Sequence, residues 1–432
     1  MEESIWKKNK ILIKGFVIGI LILLLLIPME FVKELIYERE ARQKEAIREV
    51  SSKWSGKQNF TGPIVVLPYW HEQMDTSNKI KRIKMVAHIL PDELVINSTV
   101  KPQQRSRGIY KIMLYTSMNH IRGVFKEFPA QLNIDSGKII WPEAFVRIDL
   151  GDTKGLNEEL KLKWNDTVFA MSPKVFTDAY GNESLVSSLN LTGIHDLKNI
   201  NFSADINLSG TEQLLFTPVG KQTSVIINSI WPHPSFTGNI LPQSSVITKT
   251  GFSATWKSMA HNRSYPQHWK EGSYNLNTSA FGVDLFIPVN GYQKTLRSVK
   301  YAALCILLTF AAFFLVETIN KKPVHPFHYG LIGLAMVLFY ILLLSFSEYI
   351  SFNFSYVIAA TCTIGLISWF VKGILSSVKL TIVLSLVLLL MYAYIFTLLQ
   401  LQDYALLLGS IGLFIMLVVV MHFSKKLKDN VT

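Results

Sequence analysis

Ten histidines are the first residues able to do metal or acid–base chemistry. A zinc site of the metalloprotease kind needs two histidines at i and i+4 on one helical face, with a glutamate between them. His71 and Glu72 open the run HEQMD, which lacks the second histidine and sits in a stretch that does not read as a long helix. His325 and His328 form HPFH around Pro326, a helix starter, so a capped loop pair is expected there rather than a metal pair. The chain has no G-x-S-x-G elbow, Walker loop or G-x-G-x-x-G. Nucleophilic hydrolysis and nucleotide-driven pumping therefore lack their motifs. The expectation is a protein that is not an enzyme and has no cofactor, catalytic residue or metal site.

The remaining candidates are charges set against apolar sequence. An acid in or beside a membrane span is costly and marks a default functional position. Glu317 lies at i and i+4 from Lys321, while Glu348 and Asp403 fall at the ends of apolar runs. Helix-end caps and interfacial pairs account for all three, and Arg297 and Lys300 are placed to neutralise Glu348 or Asp403. None sits at the middle of a span, which weighs against proton-coupled transport. The run WPHPSF differs in kind, because two prolines around His233 hold Trp231 and Phe236 on a rigid extended segment. It reads as a corner between strands, with a binding edge for an extended ligand as the functional alternative.

The elements that position these residues follow from composition. The chain has 432 residues, 49% of them hydrophobic and only 17% charged, against about 25% charged in an ordinary soluble domain. The charge is concentrated in residues 31–300, with 32 basic and 24 acidic residues, whereas 301–432 carry seven basic and four acidic. A soluble middle is thus joined to membrane ends. Spanning helices need about 20 apolar residues, and six windows qualify: 11–29, 301–319, 328–347, 352–371, 380–399 and 404–423. Lys14 interrupts the first and is expected to snorkel to the interface; Pro28 is expected to close it. No small-x-small cleavage site follows, so the first window reads as an uncleaved anchor. Gly15 and Gly19 form a GxxxG on it, which lets helices approach closely and has a homodimer face as its functional reading.

Lysines near span ends mark the cytoplasmic side. Lys7, Lys8, Lys10 and Lys14, then Lys321 and Lys322, Lys372 and Lys379, and Lys425, Lys426 and Lys428 all fall on one side, while the loops near Glu348 and Asp403 have no Lys or Arg. Both termini are therefore expected in the cytoplasm and the large middle in the periplasm. The net charge of +12 is mostly this orientation signal and no argument for nucleic acid. Cys305 and Cys362 both lie in apolar runs, leaving the middle without a disulfide, which fits a bacterial envelope better than a eukaryotic exterior.

After the first span, residues 31–50 lack Gly and Pro and pair Glu38 with Arg42 and Glu40 with Lys44 at i and i+4, as a solvated helical stalk does. From Gly56 onward the pattern becomes short Val, Ile, Thr, Tyr and Phe runs between turn residues. Alternation is clear in Phe202, Ala204, Ile206 and Leu208. An all-β, mostly antiparallel, sandwich-like domain is expected. Segments 56–150 and 195–290 are loosely alike and suggest two lobes, joined by a loop-rich connection at about 155–190. The predicted organisation is an anchor at 1–30, a stalk at 31–50, a β-rich domain at 51–300, a five-helix bundle at 301–424 and a tail at 425–432.

Several segments together resemble a known family. They are GPIVVLP at 62–68, WPHPSFTG at 231–238 with LP at 241–242, GFSATW at 251–256 and FGVDLFIPVNGYQ at 281–293. The membrane part adds RSVKYAALCILLTFAAFFLVE at 297–317, HPFHYGLIGLAMVLFYILLLSFSEYISF at 325–352 and LQDYALLLGS at 401–410. In order and over nearly the whole chain these resemble the bacterial inner-membrane protein CreD family, also described as cell-envelope integrity proteins. The resemblance implies a Gram-negative inner-membrane protein with a large periplasmic domain, expression tied to a two-component system, and association with envelope integrity, colicin tolerance and β-lactam response. It carries over no catalytic or ligand-binding residue. The expected function is support of the envelope through a periplasmic lipid, glycan or protein partner, with the lipid bilayer as the other environment. The alternative is a transporter or exporter of a small or lipidic molecule through the C-terminal bundle. Glu317, Glu348, Asp403, Arg297, His325, Trp231 and His233 are the candidate functional positions.

Overall fold

The computed structural model describes residues 2–421 except 75–79, 128–131, 133, 135–137, 175–182, 190, 192–197, 271, 286–290, 321, 402–403, 405–406, 413, 415–417 and 419–420. The chain divides into two compact units, Met1–Lys44 with Val289–Thr432, and Glu45–Pro288.

The helical unit begins with α1 (Glu2–Lys53), 52 residues long, or about 78 Å at 1.5 Å per residue. Pro28 lies inside it and does not close it. Proline removes one backbone hydrogen bond, but the buried stripe Ile18, Leu25, Met29, Val32 and Ile36 runs across that position. Packing on both sides therefore holds the helix straight through. The expected stalk is its continuation, and its pairs form: Arg42 Nη2 to Glu38 Oε1 at 2.6 Å and Lys44 Nζ to Glu40 Oε1 at 2.9 Å.

A short amphipathic helix, α2 (Gly291–Lys300), precedes α3 (Ala302–Ile319), α4 (Pro326–Ser347), α5 (Phe352–Leu375) and α6 (Val378–Gln400). Residues 291–300 thus belong to the helical unit. Among the described residues five helices, α1 and α3 to α6, are long and apolar enough to cross a membrane. The sixth expected span, 404–423, falls largely outside the described residues. Close packing of α1 on α4 depends on Gly333, where a Cβ would collide with Leu25 Cδ1 and lie 3.1 Å from Phe310 Cζ. By contrast, Gly15 and Gly19 on α1 have no atom within 4 Å of such a Cβ.

The second unit is all-β. Its strands are β1 (Gln58–Met74), β2 (Ile80–Ile89), β3 (Glu93–Arg107), β4 (Tyr110–Glu127), β5 (Phe145–Leu150), β6 (Lys161–Trp164), β7 (Thr167–Ala170), β8 (Ser172–Lys174) and β9 (Glu183–Ser188). They continue with β10 (Lys198–Thr211), β11 (Gln213–Phe216), β12 (Gln222–Ser229), β13 (Pro234–Gly238), β14 (Ser244–Thr248), β15 (Gly251–Met259), β16 (His268–Trp269) and β17 (Phe281–Leu285). One sheet runs β13-β17-β11-β1-β5-β9-β8, with β2 on β1 and β16 on β2; the other runs β14-β15-β12-β3-β4-β10-β6-β7. Pairing is antiparallel except for β1 with β11 and β3 with β12.

Two expectations need correction here. The similar halves are not lobes, because 56–150 and 195–290 each contribute strands to both sheets and share one core with Val65, Leu67, Ile96, Val225, Trp256 and Phe281 fully buried. Local pattern likeness reports a common strand period and carries no information on partners. The segment expected to be loop-rich also contains short strands, with β6 and β7 forming a hairpin from Lys161↔Ala170 to Trp164↔Thr167. The alternation in β10 holds: Phe202, Ala204, Ile206 and Leu208 are all buried.

Candidate functional site

Three charged clusters, all within the helical unit, hold Glu317, Glu348 and Arg297 of the candidate residues. The first forms around Glu317, in the last turn of α3 and 6% exposed. Tyr329 Oη donates to Oε2 at 2.6 Å and the Val324 backbone N–H donates to Oε1 at 3.0 Å. Lys14 Nζ completes the set with an ion pair to Oε1 and a 2.6 Å hydrogen bond to the Val324 carbonyl. Phe310 and Phe313 stand edge-on to the Tyr329 ring at 5.5 and 5.1 Å. Lys14 therefore turns inward to Glu317 instead of snorkelling, and Lys321, the expected partner, lies outside the described residues. A buried carboxylate is tolerated when its lone pairs are filled by donors. Here three donors, from α1, α4 and the α3–α4 connection, do so, making Glu317 a clamp between segments.

The second cluster surrounds Glu348, the C-cap residue of α4. Arg39 Nε lies 3.6 Å from its Oε1, and Tyr292 Oη donates to the same oxygen at 3.4 Å. The expected neutralisers, Arg297 and Lys300, are not its partners. The reason is helical phase: Tyr292 faces the buried side of α2 with Thr295 and Ser298, which turns Arg297 and Lys300 to the open side.

That open side is the third cluster. Arg297 and Lys300 line a cavity of about 480 Å³ together with Lys33, Glu30 and Tyr37 of α1 and the apolar Leu26, Met29 and Val299. Glu30 holds Lys33 at 3.2 Å. Among the described residues neither Arg297 nor Lys300 has an ion-pair partner. Lys33 and Arg39 escape notice in sequence because a charge-dense stalk reads as uniformly solvated; their spacing of six residues along α1 is the only sign that they serve different neighbours.

The other candidates do not join these clusters. His325 is the N-cap of α4, its Nδ1 accepting from the Phe327 N–H at 3.2 Å, with the His328 ring 6.3 Å away. Among the described residues no three His, Cys, Asp or Glu side chains are grouped to hold a metal. Asp403 lies outside the described residues. Trp231 and His233 form the corner before β13, where Trp231 Nε1 donates to the His233 carbonyl at 3.0 Å and the two rings meet edge-on at 5.9 Å. Phe236 continues inward against Phe252 and Trp256.

In the β unit two features were not visible in the sequence. Arg147 and Asp149, two apart on β5, form a buried pair at 2.5 Å, with Ser184 Oγ donating to Asp149 Oδ1 at 2.7 Å. At the edge of the second sheet, β14 is exposed along its whole length, with Val246 64% and Ile247 52% accessible. Leu241 and Ile230 nearby in sequence are exposed as well. Burial of several apolar side chains is thus left undone beside a strand edge with one open flank.

A family model described as Inner membrane protein CreD matches residues 10–429. Inner membrane protein CreD of Escherichia coli (strain K12) is 29% identical over 420 residues, which cover 94% of this chain and 91% of that relative.

Proposed function

We propose a function from one premise: the chain belongs to the inner membrane protein CreD family. It is an inner membrane protein with transmembrane helices and a large β-rich unit. In our reading it is not an enzyme and supports envelope integrity by presenting Glu45–Pro288 in the periplasm to an envelope partner, with both termini in the cytoplasm. The observation that carries this is the open edge of β14 with Val246 and Ile247 exposed. An unpaired strand edge offers a row of backbone donors and acceptors, and an extended segment of another protein satisfies them by adding a strand. A protein partner therefore suits this edge better than a glycan or lipid. The open flank at Gly15 and Gly19 of α1 accommodates a second copy of the chain, so homodimerisation belongs to the same reading.

The test is complementation of a strain lacking the gene by full-length V246K/I247K, a change that blunts the edge without touching the core. Loss of envelope integrity at normal membrane levels, together with loss of a protein cross-linked from residue 246 in the unaltered chain, is the expected result. Full complementation would reject the edge. If complementation instead followed the helical unit alone, the export reading through the bundle would take its place.

A further inference from the structure

The cavity beside Arg297 combines two surfaces that one class of molecule matches. Along α1, Leu26 and Met29 belong to the apolar run, and Lys33 stands about 10 Å further up the helix axis from Leu26. From α2, Val299 adds to the apolar floor while Arg297 and Lys300 add to the charged rim. The rim holds three cations against one carboxylate, and that carboxylate, Glu30, is already engaged by Lys33. An excess of positive charge at the end of a membrane span, directly above an apolar floor, has the layout of an anionic amphiphile. Guanidinium and ammonium groups bind phosphate by charge-assisted hydrogen bonds. A free phosphate would leave the floor unused, and a zwitterionic headgroup would bring its own cation against the rim.

We propose that this groove holds one anionic diacyl phospholipid, with its phosphodiester against Arg297 and Lys300 and one acyl chain along Leu26, Met29 and Val299. The site is independent of the β14 edge and of which partner that edge takes.

The test uses the full chain in phosphatidylcholine nanodiscs, with phosphatidylglycerol of matched acyl chains as the added lipid and native mass spectrometry as the readout. One phosphatidylglycerol is expected to be retained per chain, in preference to phosphatidylcholine. R297Q/K300Q should weaken that retention by about tenfold or more, the scale of losing charged hydrogen bonds. K372Q/K379Q removes the same charge elsewhere and should leave retention unchanged. Ala303 also lines the cavity; Ala303→Leu narrows it without altering charge and should give the same loss as R297Q/K300Q, which keeps the test decisive if the double variant folds poorly. Equal retention of the two lipids, unchanged retention in both groove variants, or equally tight binding of glycerol phosphate alone would each overturn the proposal.

Discussion

Arg39 Nε sits 3.6 Å from Glu348 Oε1, joining the continuation of the first span to the end of α4 across more than 300 residues of sequence. Arg39 is about one-third exposed and Glu348 nearly buried. Solvent therefore screens the pair, and its coupling should be about 0.5–1 kcal/mol. A double-mutant cycle of Arg39→Gln and Glu348→Gln, followed by thermal unfolding in detergent, measures it. The swap R39E/E348R should recover most of the loss from either single reversal; no recovery would show that the two side chains are not paired.

Lys14 and Glu317 form the more buried pair, so their removal should behave differently. Glu317→Leu alone leaves the Lys14 ammonium without its counter-charge and should cost about 3–5 kcal/mol. K14M/E317L should be less destabilised than E317L, because no charge is then left uncompensated. If the double variant were the worse of the two, the buried-pair account would fail.

Gly333 tests the packing of α1 on α4. A β-branched side chain there must displace Leu25 and press on Phe310, and Gly333→Val should destabilise by about 1–3 kcal/mol as an overpacked site does. Leu25→Ala added to it should return part of that loss. Additive losses would place Leu25 elsewhere.

In the β unit, Glu72 of β1 is held below the usual carboxylate range by the hydrogen bond from Lys138, then by its charge and the hydrogen bond from Arg82. A carboxyl whose pKa is depressed by folding adds stability above its unfolded value, near 4.5, and that contribution is lost as pH falls through the folded value. Protection of the β1–β2 hairpin amides should therefore fall as pH drops below about 4.5. Glu72→Gln should flatten that dependence; an unchanged profile would assign the loss to other groups.

Trp256 is fully buried, stacks on Phe281 at 5.8 Å and donates from Nε1 to the Ile240 carbonyl at 3.2 Å. Trp256→Ala should cost about 3–5 kcal/mol, read as earlier loss of tryptophan fluorescence on heating the full chain. Trp231→Ala, at a half-buried corner, should cost clearly less. Equal losses would mean that the corner is part of the core.

The apolar runs located α1 and α3 to α6 because a membrane helix is set by local composition alone. The i and i+4 pairs of the α1 continuation and the alternation in β10 were legible for the same reason: each depends on one element's own period. Sheet order was not legible, since pairing Phe60 with Phe216 depends on contacts far apart in sequence. The ion pairs failed for a related reason. Glu317 has a lysine four residues away, but the partner it takes is Lys14, set by how α1 and α3 are turned toward each other. Glu348 stands at the end of α4, and its partner Arg39 is again on a helix that local spacing could not bring near.

The interleaving of strands also sets a clock. β11 lies between β1 and β17, and β17 ends at Leu285, so the first sheet cannot close until more than 220 residues after Gln58 have been made. At 5–20 residues per second that wait is about 10–45 s. For most of it Val65, Val66 and Leu67 have β2, and later β5, beside them but no complete second sheet, because β15 ends only at Met259. A chain cut short before residue 281 is thus not a smaller version of this domain but an unfinished one, with apolar strand faces left open to proteases and to other chains.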